Sequence, residues 1–362
     1  MLCLYKANLP IMNNILHESS NSAIDSPSGD VCIVEHGCYF INSKFDEKKV
    51  MYNDQYLVGQ NISPSFMKHL ADVKRIIKRI NPSSTFEIGC GDGYFVEILN
   101  NDGFDSYGVD PSYVGSNRKI KQNNFNKEKN IKHDLIILRH VLEHIKNPVS
   151  FLNDIKHATN EDTLIYIEVP SLNWIIDNGA FYDFTYEHVN YFNLASFNHF
   201  FSSIVESGEL FSKQYIYIVA KISSLTDRFN ELVNVDTGGD QYIAERIKHM
   251  KNIENTVAHN ISKLDGPVYI CSAAGKGVIF SSLLAANKNL RNFSFDVVEI
   301  NPVKVGKYIP VIGKKILNEA DDFQIYLTGS AVIAGTLKQS MMADTKSFVQ
   351  KMQLALMYVS LS

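Results

Sequence analysis

Three glycines at alternate positions form the segment of this chain that is best suited to bind a ligand. Gly89, Gly91 and Gly93 follow a short apolar run, as expected of a tight turn between a strand and a helix. Asp110 comes about twenty residues later, at the end of the next apolar run, where its carboxylate can accept hydrogen bonds from ribose hydroxyls. This pattern predicts a site for a cofactor that contains adenosine.

The charge and spacing of the turn favour one adenosine cofactor over the others. Glu87 precedes the first glycine by two residues, where it would repel a pyrophosphate and attract a cationic amino acid. The spacing is G-x-G-x-G and not the G-x-G-x-x-G of dinucleotide sites. Both details favour S-adenosylmethionine over a nicotinamide or flavin cofactor. We expect contacts to it from Glu87, the three glycines, Asp110 and Pro111.

An aromatic segment carries the best candidate for a general base. Residues 181–192 follow a predicted strand at 163–169, on the carboxyl side where ligands bind in open α/β sheets. Within this segment His188 would titrate near neutrality, and the adjacent carboxylate of Glu187 can tune and orient it. Methyl transfer to a hydroxyl or to a carbon acid requires such a base. The alternative interpretation is a buried histidine in an aromatic core.

A second histidine-rich segment, Arg139-His-Val-Leu-Glu-His144, follows the earlier predicted strand at Leu135–Leu138. Glu143 and His144 are adjacent on a predicted helix, where neighbouring side chains diverge, and no other histidine or cysteine nearby completes a ligand set. We therefore expect no metal there, and we place His140 beside the cofactor.

The cysteines and a histidine near the N-terminus raise a separate zinc hypothesis. Cys32, His36, Cys38 and the distant Cys3 lack the paired spacing of structural zinc ligands. We therefore do not expect zinc. Five scattered cysteines also do not make a disulfide framework, so we expect reduced thiols and a cytoplasmic protein.

Composition restricts the partners of the chain. A net charge of −4 over 362 residues gives no electrostatic reason to expect nucleic acid or an anionic membrane. No apolar run reaches the length of a membrane span, and the first residues lack the pattern of a signal peptide. We expect a small-molecule substrate, no nucleic acid and no membrane, and the sequence leaves the oligomeric state open.

The order of predicted elements indicates an α/β protein. After an irregular, polar region at 1–64, strands and helices alternate over 65–222, which favours a mostly parallel sheet with helices on both faces. A charged helical connector follows at 223–265. A second strand–turn–helix then begins a smaller α/β unit at 266–362.

Taken together, these segments resemble the sugar C-methyltransferases that act on nucleotide-linked keto-deoxysugars. That family combines a class I S-adenosylmethionine-dependent methyltransferase domain, which is Rossmann-like, with a C-terminal Rossmann-like domain. The resemblance extends over nearly the whole chain, through residues 87–94, 109–112, 139–144, 187–192, 268–277 and 301–310.

The resemblance implies a mechanism and further site residues. His188 would remove an acidic hydrogen beside a ketone, Glu187 would orient the histidine or the sugar, and the resulting carbon nucleophile would take the methyl group. Tyr186 would hydrogen-bond the developing oxyanion. The substrate would contact Tyr191, and Lys276 would meet its diphosphate.

The chain also departs from the family pattern. The family reads Tyr-His-Glu-His where this chain has Thr185-Tyr-Glu-His188, so Tyr182 is the alternative to the shifted Tyr186. The N-terminal region reads as a degenerate remnant of a four-cysteine zinc module that covers the substrate or cofactor. The stretch from Thr328 onward matches the family poorly.

The same residues are also compatible with other functions. The same base would serve an O- or N-methyltransferase that acts on a sugar or another small metabolite. A NAD-dependent oxidoreductase and a non-catalytic cofactor-binding protein are further alternatives.

Overall fold

The computed structural model describes residues 2–56, 63–125, 131–226, 241–263, 268–273, 275–290, 294–299 and 301–318. The strands are β1 (Tyr5–Pro10), β2 (Ser28–His36), β3 (Tyr39–Asn42), β4 (Ser84–Ile88), β5 (Asp105–Val109), β6 (Ile120–Lys121), β7 (Leu135–Arg139), β8 (Leu164–Pro170), β9 (Asn190–Tyr191), β10 (Ile204–Leu210), β11 (Tyr215–Lys221), β12 (Val268–Cys271), β13 (Phe295–Glu299) and β14 (Ile316–Asn318). The α-helices are α1 (Ser20–Ile24), α2 (Pro64–Ile80), α3 (Tyr94–Asn101), α4 (Pro148–Ala158), α5 (Leu172–Asp177), α6 (Leu194–Phe200), α7 (Gln241–Ile261) and α8 (Lys276–Ala286). Short 3₁₀ helices span Glu47–Lys49, Leu142–His144, Phe181–Asp183, Ile222–Ser224 and Lys288–Leu290.

The central sheet has seven strands in the order β10-β11-β8-β7-β4-β5-β6. Strands β4 to β8 are parallel, whereas β11 runs antiparallel to β8 and β10 antiparallel to β11. Every residue of β7 is buried, as its apolar run predicts for a central strand that is covered on both faces. The predicted α/β class with a mostly parallel sheet is confirmed.

Helix α2 shows how local sequence fixes one of the covering elements. Ser63 caps its N-terminus by accepting a hydrogen bond from the Phe66 N–H, and Pro64 occupies the first turn. Asn81 ends the helix in the left-handed region, with φ 55°. Its apolar face, which includes Leu70 and Ile77, packs on the sheet.

The polar composition of the N-terminal region predicted an irregular structure, and this prediction was wrong. The region contributes three strands to an antiparallel sheet of order β1-β2-β3-β9. Strand β1 alternates buried and exposed positions over its first four residues, as a half-buried strand does, but the polar composition of the turns between the strands hid this pattern in the sequence. The fourth strand, β9, belongs to the aromatic segment at 181–192. The N-terminal sheet therefore holds the segment that carries the candidate base.

The cysteines also differ from expectation. Cys3 and Cys32 form a disulfide, with a Cα–Cα distance of 5.5 Å, because β1 and β2 pair side by side. Cys38 does not take part in this disulfide, and its Sγ lies 3.9 Å from the backbone oxygen of Ser196. In the part of the chain that the structure describes, the residues considered for zinc do not converge on one point.

The C-terminal unit contains a parallel three-stranded sheet of order β12-β13-β14, as predicted for a smaller α/β unit, and α7 occupies the predicted connector. One hydrophobic cluster joins Leu9 of β1, Ile247 of α7 and Phe280 of α8, so the N-terminal sheet and the C-terminal unit share a core. The division of the chain into separate domains stays a prediction. The stretch from Thr328 onward lies outside the described residues.

None of the helices in the described ranges is both long enough and apolar enough to cross a membrane.

Candidate active site

The glycine turn connects β4 to α3 and requires glycine for steric reasons. Gly89, Gly91 and Gly93 have φ values of 73°, 57° and 79°, in the left-handed region that other residues adopt only at a cost. A methyl group on Gly89 would also collide with Val141. The Gly89 N–H donates to the Val109 oxygen at 2.8 Å, which holds the turn against the end of β5.

Asp110 is held in place by the turn that it faces. Its carboxylate accepts hydrogen bonds from the Gly91 N–H at 2.8 Å, the Ser112 N–H at 2.7 Å and the Ser112 hydroxyl at 2.6 Å. Oδ1 accepts two of these hydrogen bonds and Oδ2 accepts one, so Oδ2 retains a lone pair. Asp110 is therefore preorganised to accept a further hydrogen bond from a ligand.

Glu87 does not face a ligand as we expected. Its side chain is fully buried and pairs with Arg139 Nε at 2.8 Å, because β7 lies beside β4 and brings the guanidinium across. The other carboxylate oxygen, Oε2, has no hydrogen-bond partner among the described residues. Burial raises the pKa of Glu87, although Arg139 opposes the shift. Of these two residues, only Arg139 lines the cavity, and Glu87 holds the Arg139 side chain through the ion pair.

This ion pair gives a stability prediction. We expect Arg139→Met to destabilise the fold by about 3–5 kcal/mol, because it leaves a buried carboxylate without its cation. Urea unfolding of the variant and of the wild type would measure the difference in free energy of unfolding. Arg79→Met is the matched control, since Arg79 pairs with Glu206 on the exposed surface and should change little. Equal effects of the two substitutions would contradict the prediction.

A cavity of about 560 Å³ opens in front of the glycine turn. Most of the predicted site residues line it, namely Gly89, Gly91, Asp110, Pro111, His140, Glu187, His188 and Lys276. The N-terminal region contributes Asn13, Asn14, Tyr52 and Tyr56, and the C-terminal unit contributes Ser272, Gly275, Gly277 and Lys304. The cavity therefore lies where all three sheets meet.

His188 presents an available imidazole to this cavity. Its backbone N–H donates to Thr185 Oγ1 at 3.0 Å, which anchors the residue, and its ring lies 4.8 Å from the ring of His144. In the described ranges, neither ring nitrogen of His188 has a hydrogen-bond partner. Burial, with the nearby His144, His140 and Lys276, lowers its pKa well below the ordinary value. The imidazole is therefore neutral near pH 7, as a base must be.

Glu187 is tied to the N-terminal region and not to His188. Its Oε1 accepts a hydrogen bond from the Asn13 N–H at 2.6 Å, and its Oε2 accepts from the hydroxyls of Tyr56 at 2.9 Å and Tyr52 at 3.4 Å. Burial raises the pKa of Glu187, and the nearby His144 together with these three hydrogen bonds opposes the shift. Sequence reasoning missed both tyrosines. Their spacing of four residues in an otherwise polar stretch was the available signal.

His140 lines the cavity between two acidic side chains. Its ring nitrogens lie 3.4 Å from Glu143 Oε1 and 3.3 Å from Glu168 Oε1, and Glu168 also contacts His69 at 3.0 Å. Although burial favours the neutral ring, the two carboxylates raise the pKa of His140 to about 9. His140 is therefore a fixed positive charge at the cavity wall near neutral pH.

The argument that Glu143 and His144 must diverge was wrong. They lie on a 3₁₀ turn and not on an α-helix, and His188 comes close enough that ligand-type atoms of the three residues lie within 4.8 Å of one another. His144 Nδ1 is already engaged by the Tyr52 hydroxyl at 2.9 Å and by the backbone oxygen of Glu187 at 3.0 Å. Hydrogen bonding thus accounts for His144, whereas the carboxylate oxygens of Glu143 have no hydrogen-bond partner among the described residues.

The three tyrosines of the aromatic segment lie outside the described lining of the cavity. Tyr186 packs beneath Gly29, and its hydroxyl accepts a hydrogen bond from the Asp46 N–H at 3.1 Å. The Tyr191 hydroxyl is engaged by the backbone of Thr185, and Tyr182 packs on aromatic rings that include Phe280. Strand pairing through β9 turns this segment inward, so the predicted oxyanion and substrate contacts do not arise from these three tyrosines.

Lys276, at the start of α8, reaches the cavity with its charge already compensated. Its Nζ lies 2.9 Å from Asp183 Oδ2 and 3.0 Å from Gln214 Oε1, and it sits 4.7 Å above the ring of Trp174. Burial raises the pKa of Asp183, and Lys276 opposes the shift.

Comparison with known proteins gives a family match for part of the chain. Residues 66–203 match a family model described as a methyltransferase domain. No curated protein sequence matches this chain.

Solved structures with similar folds include three methyltransferases. A putative O-methyltransferase from Nostoc punctiforme is 18% identical, with 43% of this chain and 56% of that chain covered and a TM-score of 0.35. The 1,6-didemethyltoxoflavin-N1-methyltransferase of Burkholderia thailandensis, with bound S-adenosylhomocysteine, is 13% identical over 46% and 80% of the two chains, with a TM-score of 0.33. The N-methyltransferase NodS of Bradyrhizobium japonicum, also with S-adenosylhomocysteine, is 12% identical over 48% and 94%, with a TM-score of 0.34.

The fold, the turn and the family match together show that residues 66–203 form a methyltransferase domain with the class I fold, which uses S-adenosylmethionine. The residues present fit this cofactor, because the left-handed glycine turn leaves its edge of the cavity free of side chains and Asp110 Oδ2 presents an open lone pair there. Phe125, Ile145 and Phe151 supply an apolar wall of the kind that a purine ring requires. The predicted cofactor is confirmed.

Proposed function

We propose that this protein methylates carbon in a keto-deoxysugar that is linked to a nucleotide. The observation that carries the proposal is the neutral, unpartnered imidazole of His188, which lies in the same cavity as the glycine turn and Asp110. A ketone acidifies the hydrogen on the adjacent carbon, so a neutral histidine is a sufficient base for such a substrate. The loops of the C-terminal unit that reach this cavity supply the surface for the nucleotide part.

Bound S-adenosylmethionine supplies a methyl group on a positively charged sulfur, which makes that carbon electrophilic. His188 takes the proton from the carbon beside the ketone, and the electron pair of the broken C–H bond enters the enolate. The nucleophilic carbon forms its bond to the methyl group as the bond from the methyl group to sulfur breaks. The proton stays on the imidazole until solvent removes it.

The enolate oxygen needs a hydrogen-bond donor near the base. The hydroxyls of Tyr52 and Tyr56 lie in the cavity against Glu187, and burial with the charge of Glu187 raises the pKa of both. They therefore stay protonated, and each can donate its single hydrogen to the enolate oxygen when it gives up its hydrogen bond to Glu187. We assign them the role for which the sequence suggested Tyr186 and Tyr182, while His140 adds a positive charge at the same wall.

The test is a mass-spectrometric screen of nucleotide-linked keto-sugars, in which we expect a gain of the mass of one CH₂ group with a specific substrate. Incubation in deuterium oxide without the methyl donor should also exchange the hydrogen beside the ketone. A methylated product without exchange would instead favour an O- or N-methyltransferase, and no product from any keto-sugar would overturn the proposal.

A further inference from the structure

Two buried glutamates lie close to the candidate base, and their carboxylates differ in how many donors they meet. Glu187 accepts three hydrogen bonds from residues of the N-terminal region. Glu143 also lines the cavity and is only 1% exposed, but within the described ranges neither of its carboxylate oxygens has a hydrogen-bond partner. A buried carboxylate without donors is costly, so a ligand that brings donors to Glu143 would be stabilised there.

The neighbouring His140 supplies Glu143 with charge but not with a hydrogen bond. His140 Nδ1 lies 3.4 Å from Glu143 Oε1, in a geometry that is not that of a hydrogen bond. The same imidazole also faces Glu168, with its Nε2 3.3 Å from Oε1. One positive charge is therefore shared between two buried carboxylates, and the oxygens of Glu143 remain open to donors from a ligand.

Glu143 lies beside the proposed base, where the sugar must bind. One carboxylate oxygen of Glu143 and one imidazole nitrogen from each of His144 and His188 lie within 4.8 Å of one another. A general base must come within hydrogen-bond reach of the proton that it removes. The carbon that loses its proton to His188 is therefore close to Glu143, and a substituent on the next carbon of the sugar can reach that carboxylate.

The number of open acceptors indicates which kind of substituent fits. Both oxygens of Glu143 lack a donor, and a hydroxyl group carries one hydrogen, whereas a protonated amino group carries three. A protonated amino group also brings a positive charge, and hydrogen bonds between charged groups are stronger than those between neutral groups. The cavity therefore favours an ammonium over a hydroxyl at this position.

We propose that Glu143 selects a substrate that carries a protonated amino group beside the carbon that receives the methyl group. The inference rests on the proposed function and deepens it, because it restricts the keto-deoxysugar to an amino-substituted one. The methyl donor also carries a protonated amino group, in its amino-acid part. The experiment therefore includes a measurement that separates the two sources of this group.

Kinetics with a matched pair of substrates test the proposal. Both are keto-deoxysugars linked to the nucleotide that the substrate screen identifies, and they differ only in an amino or a hydroxyl group beside the methylated carbon. We expect the wild type to prefer the amino sugar by about 10- to 150-fold in kcat/KM, the effect of hydrogen bonds to a charged group. Glu143→Gln should lose most of this preference, because its amide is neutral and accepts through one oxygen only. Glu143→Asp keeps the charge and should retain part of the preference.

Calorimetry with S-adenosylhomocysteine on the same preparations separates substrate from cofactor. We expect equal affinity in the wild type and in Glu143→Gln, which also shows that the variant is folded. A weaker affinity in the variant would assign Glu143 to the amino group of the cofactor and overturn the proposal. Glu161→Gln is the matched control, because Glu161 is exposed and does not line the cavity, and it should keep the wild-type preference.

The kinetic outcomes also separate this proposal from the proposed function. Equal kcat/KM for the two sugars in the wild type would overturn the role of Glu143, as would an unchanged preference in Glu143→Gln or an equal loss in Glu161→Gln. All three results still include methylated product, so they leave the proposed function intact. Methylation of neither sugar would overturn the proposed function, and the role of Glu143 with it.

Discussion

Replacement of His188 by asparagine should reduce kcat by about 10²- to 10⁴-fold, the usual contribution of a general base. The binding of S-adenosylmethionine should not change, because the His188 ring contacts the ring of His144 and is not part of the glycine turn. The measurement pairs single-turnover methyl transfer with calorimetry of S-adenosylhomocysteine on the same preparation.

His157→Asn is the control for this substitution, since His157 is an exposed histidine on α4 that does not line the cavity. Turnover near the wild-type value in His188→Asn would remove the proposed base. Loss of cofactor affinity together with turnover would instead mean that the substitution disturbs the whole cavity.

The pH dependence of kcat/KM is a second test of His188 as the base. The base must be neutral, and burial together with His144, His140 and Lys276 lowers the pKa of His188 from its ordinary value of 6.5. The neutral form therefore persists as the pH falls, and the acid limb of kcat/KM should lie below pH 6.5. An acid limb above that pH would indicate that a different group acts as the base.

Replacement of Asp110 by alanine should weaken the binding of S-adenosylmethionine by about 10- to 150-fold, the effect of losing hydrogen bonds to a charged group. Part of this loss is indirect. The carboxylate also holds the Gly91 and Ser112 N–H groups, so the turn loosens when it is removed. Asp110→Asn keeps one acceptor oxygen and should lose less affinity than Asp110→Ala. Calorimetry with S-adenosylhomocysteine measures both variants.

Asp105→Ala provides the comparison, because Asp105 begins the strand that ends just before Asp110 and pairs with Lys119 at the exposed end. It should leave cofactor affinity unchanged. If Asp110→Ala binds the cofactor as the wild type does, the ribose assignment is wrong.

The sequence by itself determined the local features that form the cofactor site. The glycine turn, the carboxylate after the next strand and the alternation of strands with helices all depend on residues close together in the chain. Steric limits on φ and the periodicity of buried side chains fix such features locally. The same reasoning located His188 at the carboxyl edge of the sheet.

Only the tertiary structure decided how the base is surrounded. Glu187 is bound by Asn13 and Tyr56, which lie 174 and 131 residues away in the chain, and these partners arrive through pairing of the N-terminal sheet with β9. That pairing also directs the side chain of Tyr186 into the hydrophobic core. Lys304 likewise reaches the cavity because two sheets share one hydrophobic core. Long-range packing chooses the neighbours of each side chain, and no local pattern in the sequence records that choice.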